Sequence, residues 1–414
     1  MFPASIEGMT YDVVVVGGGP AGSLTSMFLK RAGKHVLLID KATFPRDKIC
    51  GDAQGRKLAA SLKDLGIYED YTKLPNVAIW GIRMSSPNGT QIDMDLIDRQ
   101  TGTPGYVTRR QDLDNYLFQT AKEKFHVETK EGVAITDILF DDNGAITELQ
   151  CQNVETKETF SLAAKLYVGA DGANSIFAQK LDLSVPPEHF IVGLRAYYKN
   201  VEGLSDKIEI HLLKNLVPGY FWIFPLPNKE ANVGLGMIIK DKKEKGINLV
   251  QELKDSVAKD PLFVERFKEA ELDGEIKAWS LPLSSHHRKN YGPNYVLVGD
   301  AASLIDPLSG EGVGTSSISA RHASKVLVEA LDKNEITEGF LKNYDKNLWD
   351  EIGKEVKADY RIQRLGAKFP FLLNRLMEKA SKNPEFRKKF EQLLPYAEGK
   401  DKIGKWSFIA QLFK

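Results

Sequence analysis

Lys48, Cys50 and Gly51 stand in the stretch FPRDKICGD, Phe44 to Asp52, and join a cation, a soft thiol and a residue that lets a ligand approach the backbone. An ammonium nearby favours the thiolate, and a thiol so placed can donate, relay or position a proton. The same residues also suit a close structural turn, with Lys48 solvated or neutralising a phosphate. Cys50 is one of two cysteines in the chain. Its stretch follows directly on a second chemistry-bearing cluster, the glycines of GGGPAG.

Gly17, Gly19 and Gly22 form G-x-G-x-x-G, with Pro20 and Ala21 inside the pattern. The first glycine permits a tight turn, the second lets a pyrophosphate reach the backbone, and the third lets helix pack on strand. The pattern follows the β-branched run Tyr11 to Val16 and opens a helix over Ala21 to Arg31, so a helix N-terminus faces the phosphates. His35 to Ile39 reads as a second buried strand. Asp40, with Lys41 beside it, closes that strand 18 residues after Gly22, where an acid can bind the ribose hydroxyls of an adenosine. A dinucleotide site follows from the combination.

Two later strand-like runs, KLYVGADGA and YVLVGDAAS, each end in an acid at a glycine turn. Asp171 and Gly172 would sit near the adenosine-side phosphates or close the lobe, and Asp300 is placed to bind a sugar-like chain. Pro307, Gly310, Gly312, Val313 and Gly314 then open another helix, whose N-terminus could stabilise negative charge on the pyrimidine edge of a reduced flavin. These segments belong to one nucleotide-binding lobe, although more than a hundred residues separate them. Between them lie KIEIHLL, GYFWIFPLP and ANVGLGMII, alternating runs that indicate an inserted antiparallel sheet. Tyr220, Trp222 and Phe224 share one face of that sheet, as core or as binding surface. From Leu341 the character turns helical and basic, with 17 Lys/Arg against 10 Asp/Glu.

Composition narrows the classes. At 414 residues, 42% apolar, 27% charged and with zero formal net charge, the chain reads as a soluble globular protein of two or three lobes, with no nucleic acid partner. Cys50 and Cys151 make no disulfide framework, the start MFPASIEGMTYD lacks a secretory pattern, and no apolar run nears the ~20 residues a membrane span needs. A cytoplasmic protein is expected. His286 and His287 read as exposed loop residues, no ligand set indicates a metal, and Cys151 reads as structural.

The order GGGPAG, TRRQDLD, ADGANS and GDAASLIDPLSGEGV resembles the flavoprotein superfamily that includes aromatic hydroxylases, flavin halogenases and geranylgeranyl reductases, over nearly the whole chain to about residue 330. The resemblance implies FAD. It implies also that Arg110, or Arg109 by one position, reaches the flavin's ribityl and phosphate region. Pro45, Lys48, Cys50 and Gly51 resemble the P-x-x-K-x-C-G element of geranylgeranyl reductases. Tyr220, Trp222, Phe224 and Pro225, followed by Gly234 and Gly236, resemble their Y-x-W-x-F-P and G-x-G elements. A halogenase would carry W-x-W-x-I-P, of which only Trp222 and Pro225 are present, and a lysine that NVAIWGIRM lacks.

What the resemblance implies is an α/β fold: a Rossmann-like FAD-binding domain, an inserted antiparallel-sheet substrate domain and a helical C-terminal region. The FAD-binding lobe is expected over 1–75, 106–182 and 286–335, the substrate lobe over 76–105 and 183–285, and the helices over 336–414. The implied activity is saturation of C=C bonds in an isoprenoid, free, lipid-linked or on a quinone, by hydride from reduced flavin plus a proton. Cys50, Lys48 and Gly51 would lie at the reacting end. The aromatic face would line an apolar tunnel, with Gly234 and Gly236 leaving room beside it. NADPH, NADH or ferredoxin would supply electrons, since no second dinucleotide fingerprint is present. A flavin monooxygenase or halogenase acting on an aromatic or apolar substrate is the alternative, and a non-catalytic electron relay a further one. The final KWSFIAQLFK, with Trp406, Ile409 and Phe413 at helical spacing and Lys402, Lys405 and Lys414 around them, either caps the protein's own core or lies on anionic lipid as a peripheral contact.

Overall fold

A computed structural model describes residues 11–394, 397–403 and 405–413. Its first sheet has five parallel strands in the order Tyr295–Leu297, Ala164–Gly169, Tyr11–Val16, Val36–Asp40, Glu128–Glu131. Val13 to Val16 and Val36 to Ile39 are fully or almost fully buried, as β-branched and aliphatic runs covered on both faces must be. The helix Pro20–Arg31 returns the chain over this sheet. Pro20 opens it with a preset φ, and Lys30 and Arg31 meet its carbonyl end. Strands far apart in sequence therefore end side by side, and their carboxyl ends present the glycine turns together.

The second large sheet has seven strands: Glu271–Pro282, Phe190–Lys199, Glu230–Ile238, Tyr220–Leu226, Lys207–His211, Gly81–Ser85 and Gln91–Asp95. All neighbours are antiparallel except Lys207–His211 with Gly81–Ser85, which run parallel. Period-two alternation sorts its faces. Phe221, Ile223, Val233 and Leu235 point to an outer core closed by Leu249, Leu253, Phe263 and Phe267. Trp222, Phe224 and Tyr197 point the other way, to Ile79 and Val107. Those last two belong to a small sheet of Ala53–Gln54, Gly105–Thr108 and Asn76–Ile79. A turn over Asp141–Gly144 joins Val133–Phe140 to Ile146–Asn153 antiparallel.

The long helix Glu338–Lys368 leads into the helices Phe371–Lys382, Pro384–Leu393, Ala397–Ile403 and Trp406–Ile409. Phe408, Ile409 and Leu412 are buried with Phe386 and Phe390 against Ile82, Ile92 and Met94 of the seven-stranded sheet. The chain thus uses this apolar stripe as core, each such side chain contributing about 1.5–3 kcal/mol on burial. Lys402 and Lys405 are exposed. Lys414 and the side chains of Trp406 and Phe413 lie outside the described residues. No helix among the described residues is long and apolar enough to cross a membrane.

Candidate functional site

The three fingerprint glycines do different work. Gly17 has φ +107°, and a Cβ there would stand 2.3 Å from the Ala170 carbonyl oxygen; one on Gly22 would stand 1.8 Å from that of Gly17. Both positions are closed by the chain itself. Gly19 is not: a Cβ there meets only the Arg46 guanidinium, at 3.5 Å. The space beyond it fronts a helix whose N-terminus has no side-chain cap, so free N–H groups and a guanidinium face one opening. A pyrophosphate fits that opening. Asp40 anchors the turn from below, accepting the Gly18 N–H at 2.7 Å and the Ala42 N–H at 2.8 Å, while Lys41 is exposed.

Arg110 and Arg109 part company at the start of the helix Arg110–Gln119. Arg110 is buried and donates to both oxygens of Asp114, at 2.6 and 2.8 Å. Burial opposes its charge, but Asp114 and Cys50 outweigh burial and raise its pKa. Arg46 donates to the same Asp114 at 3.0 Å, so one carboxylate seats two arginines beside the cradle. Arg109 turns instead to Glu230, at 2.6 Å, and lies over the Tyr197 ring.

The stretch Asp47–Asp52 runs along the inner face of the seven-stranded sheet. Asp47 accepts Arg195 at 2.7 Å on each oxygen and Lys277 at 2.8 Å. Lys48 Nζ lies 3.9 Å from the centre of the Trp279 ring, buried and with no hydrogen-bond partner among the described residues. Burial, chiefly, lowers its pKa to about 8; Asp300 and Cys50 hold it up, and Arg110 and Arg46 push it down. Cys50 offers its carbonyl to the Asn232 amide at 2.7 Å. A Cβ on Gly51 would stand 2.9 Å from the Phe224 ring and 3.7 Å from Trp222 Nε1.

Asp52 ends the stretch at φ +67° and is fully buried. Tyr197 and Asn232 donate to its Oδ2 at 2.8 and 2.7 Å, and the Arg110 N–H to its Oδ1 at 3.1 Å. Burial pushes its pKa up to about 6 against these hydrogen bonds. Trp222 Nε1 donates to Asn232 Oδ1 at 2.9 Å, so Asn232 ties indole, Asp52 and the Cys50 backbone together.

The remaining turns close around this centre. Asp171 accepts the Ile176 N–H at 2.7 Å through Oδ2, while its Oδ1 is buried without a hydrogen-bond partner among the described residues. Gly172 is open, at φ +82°. Asp300 Oδ1 lies 3.2 Å from where a Gly312 Cβ would be. The helix Val313–Lys333 begins with Gly312 and no side-chain cap, and Gly314 lies against Glu311. Tyr220 donates its hydroxyl to the Ser309 carbonyl, beside Gly310 at φ +72°, and Gln363 donates to the Pro307 carbonyl.

One expectation is overturned. Gly234 and Gly236 do not leave room for a chain: the space of a Gly234 Cβ is filled by the Trp222 ring at 2.2 Å, and Gly236 faces Ile191 and Trp222. These glycines admit the indole. His287 is exposed and pairs with Asp345 at 3.0 Å, while His286 is half-buried beside His189. Cys151 is buried, and burial raises its pKa to about 12. No cluster of metal-ligating side chains occurs among the described residues. Sequence reasoning missed Arg46, Asp47, Asp52, Arg195, Tyr197, Asn232 and Trp279. Only the first three had a signal, their place within FPRDKICGD.

Comparison with known proteins agrees with this architecture. Residues 10–348 match the FAD binding domain family. The digeranylgeranylglycerophospholipid reductase of Methanocaldococcus jannaschii is 31% identical over 347 residues, 82% of each chain. The menaquinone reductase of Mycobacterium tuberculosis is 30% identical over 325 residues, 76% of each chain. Among solved structures, a geranylgeranyl bacteriochlorophyll reductase-like protein of Thermoplasma acidophilum superposes with TM-score 0.79 at 23% identity, over 92% of this chain and 98% of its own. The flavin-dependent brominase Bmp2 shares the fold at TM-score 0.74 and 19% identity, over 98% of each chain. With the match spanning most of its length, the glycine cradle open where a pyrophosphate fits and reductases among its relatives, this chain belongs to the FAD binding domain family and is an FAD-dependent oxidoreductase.

Proposed function

We propose that the protein saturates C=C bonds in the prenyl chain of a lipid or quinone. One observation carries the reading: Lys48, Cys50 and Gly51 lie between the dinucleotide cradle and the aromatic face of the seven-stranded sheet. The relatives named above as reductases act, by name, on molecules with prenyl chains. Bound FAD, once reduced by NADPH, NADH or ferredoxin, would supply the hydride.

The chain's own residues supply the rest. Gly19, the helix N-terminus behind it and Arg46 would hold the pyrophosphate, with Arg110 and Asp300 toward the ribityl chain. Hydride added to one alkene carbon leaves the other in need of a proton. Cys50 and Lys48 would be the groups that supply it. Cys50 is the donor we favour, with Lys48 behind it: a buried ammonium with a pKa near 8 has both the charge and the acidity to resupply a proton near neutral pH. Trp222, Phe224 and Ile79, buried together, would form the apolar wall beside the chain, and such a face would keep water from the reacting carbons. The brominase has the same fold, so fold does not separate reductase from halogenase; the Lys-x-Cys-Gly stretch on this wall favours the reductase.

Anaerobic stopped-flow tests the assignment. Reduced Cys50→Ala and Cys50→Ser should bind FAD normally yet reoxidise slowly with a menaquinone or geranylgeranyl lipid, while their reduction by donor stays at the wild-type rate. Reoxidation at the wild-type rate in both variants would reduce Cys50 to a packing residue.

A further inference from the structure

Behind the loop that carries Pro307, Gly310 and Gly312 lies a buried group of charges which the proposed reaction does not use. Asp306 organises the loop from within. Its Oδ1 accepts the Leu308 N–H at 3.0 Å and the Ser309 N–H and Oγ–H at 2.7 Å each, and its N–H donates to the Glu311 carbonyl at 3.0 Å. Its carboxyl is hydrogen-bonded to that of Asp359, on the helix Glu338–Lys368. Asp359 is fully buried; its Oδ2 accepts Lys400 at 2.8 Å, and its Oδ1 has no N–H or O–H donor among the described residues. Two carboxyl groups in contact, one with an oxygen lacking any other partner, call for a proton between them.

We propose that Asp359 is a positioning residue: it keeps a proton, donates it to Asp306, and so holds the Asp306–Gly312 loop in the form that receives the cofactor. The proposal rests on the reading that this loop borders the flavin.

The surrounding charges agree with that division. Burial first, then the Asp306 charge, pushes the Asp359 pKa up to about 8 against Lys400, whereas Asp306 is lowered by Lys400 and by the Asp359 hydrogen bond despite burial. Lys400 comes from the helix Ala397–Ile403 and also binds Glu355 at 2.9 Å. Lys57, from the helix Arg56–Asp64, lies 3.0 Å from Glu355 and 3.6 Å from Glu311. The two lysines share Glu355, and each has one further carboxylate, Asp359 for Lys400 and Glu311 for Lys57. The Asp306–Asp359 pair depends on its proton, and the C-terminal helices reach the cofactor loop through Lys400 and Gln363.

The sign follows. Asp359 is protonated while the loop is held and ionises more readily once the loop lets go. Rising pH therefore favours release up to the held-state pKa near 8 and has no further effect above it. The test is the FAD dissociation constant of apoprotein at pH 6 to 9, together with infrared detection of a protonated carboxyl. Wild-type affinity should weaken between pH 6 and 8, by at most about tenfold per pH unit, and then level off. Asp359→Asn, which donates an N–H in place of the proton, should remove that slope and one protonated-carboxyl band. Should Asp359→Asn fail to fold, Lys400→Met serves: loss of the cation should move the band's disappearance to higher pH. An unchanged band in both variants would overturn the shared proton. A lost band with an unchanged FAD slope would overturn its role in holding the loop.

Discussion

Gly51 lies against the ring of Phe224 so closely that a Cβ would stand 2.9 Å from it. This contact presses the backbone after Cys50 onto the aromatic face. A Gly51→Val variant must lift the stretch or displace the ring, yet the glycine turn and helix N-terminus of the dinucleotide cradle are built elsewhere. FAD content should stay near wild type while turnover of a prenyl substrate falls at least tenfold. Flavin absorbance with single-turnover rates checks both, and loss of FAD in step with activity would show that the stretch supports the cofactor instead.

Gly19→Val should separate cofactor loss from misfolding. Among the described residues the one atom near that Cβ is the end of Arg46, at 3.5 Å, so the apoprotein should melt within about 1 °C of wild-type apoprotein. The purified variant should nevertheless be colourless, because the side chain would occupy the pyrophosphate's space. Full flavin content would contradict the cradle.

Lys48 should leave its mark on the pH profile. Its pKa near 8 means that it carries a proton below that value and loses it above. If it resupplies the proton, single-turnover alkene reduction should decline as pH rises through about 8. Lys48→Met should abolish that limb and slow the step by about 10²-fold or more. Retention of the limb in the variant would assign it to another group.

Asp52 should tie stability to pH in the opposite quarter. The unfolded carboxyl ionises near pH 4 and the folded one near 6, so the folded protein holds the extra proton between them. Stability from this group is therefore greatest below about pH 4, falls up to about pH 6 and is flat above. Asp52→Asn should remove this slope. It would also set an amide N–H against the donors on one of the two oxygens, the Arg110 N–H or the Tyr197 and Asn232 pair, costing about 1–3 kcal/mol. Urea unfolding between pH 4 and 8 checks both effects.

Four strands of the parallel sheet were legible in the sequence as apolar runs, three of them closed by a glycine turn, whereas the edge strand Glu128–Glu131, ETKE, has no apolar residue to announce it. The fingerprint glycines were legible for the same local reason. Asn232 and Tyr197 were not, since nothing around them in the chain announces a partner; only the register Tyr197↔Asn232 and the fold above them bring both to Asp52. The parallel pairing of Gly81–Ser85 with Lys207–His211 was equally hidden, because alternation fixes a strand's faces and not its neighbour. Gly234 was misread for a physical reason. A glycine marks a place where a side chain cannot be, and the Trp222 indole, not a ligand, fills it.

The most direct test of the account is the mass of the product. Reduced protein, mixed without oxygen with menaquinone or a digeranylgeranyl lipid, should return that molecule heavier by two hydrogens for each bond saturated, and Cys50→Ala should return it largely unchanged. Recovery of unaltered lipid from wild type, with oxygenated or halogenated product from an aromatic substrate once oxygen is admitted, would contradict it.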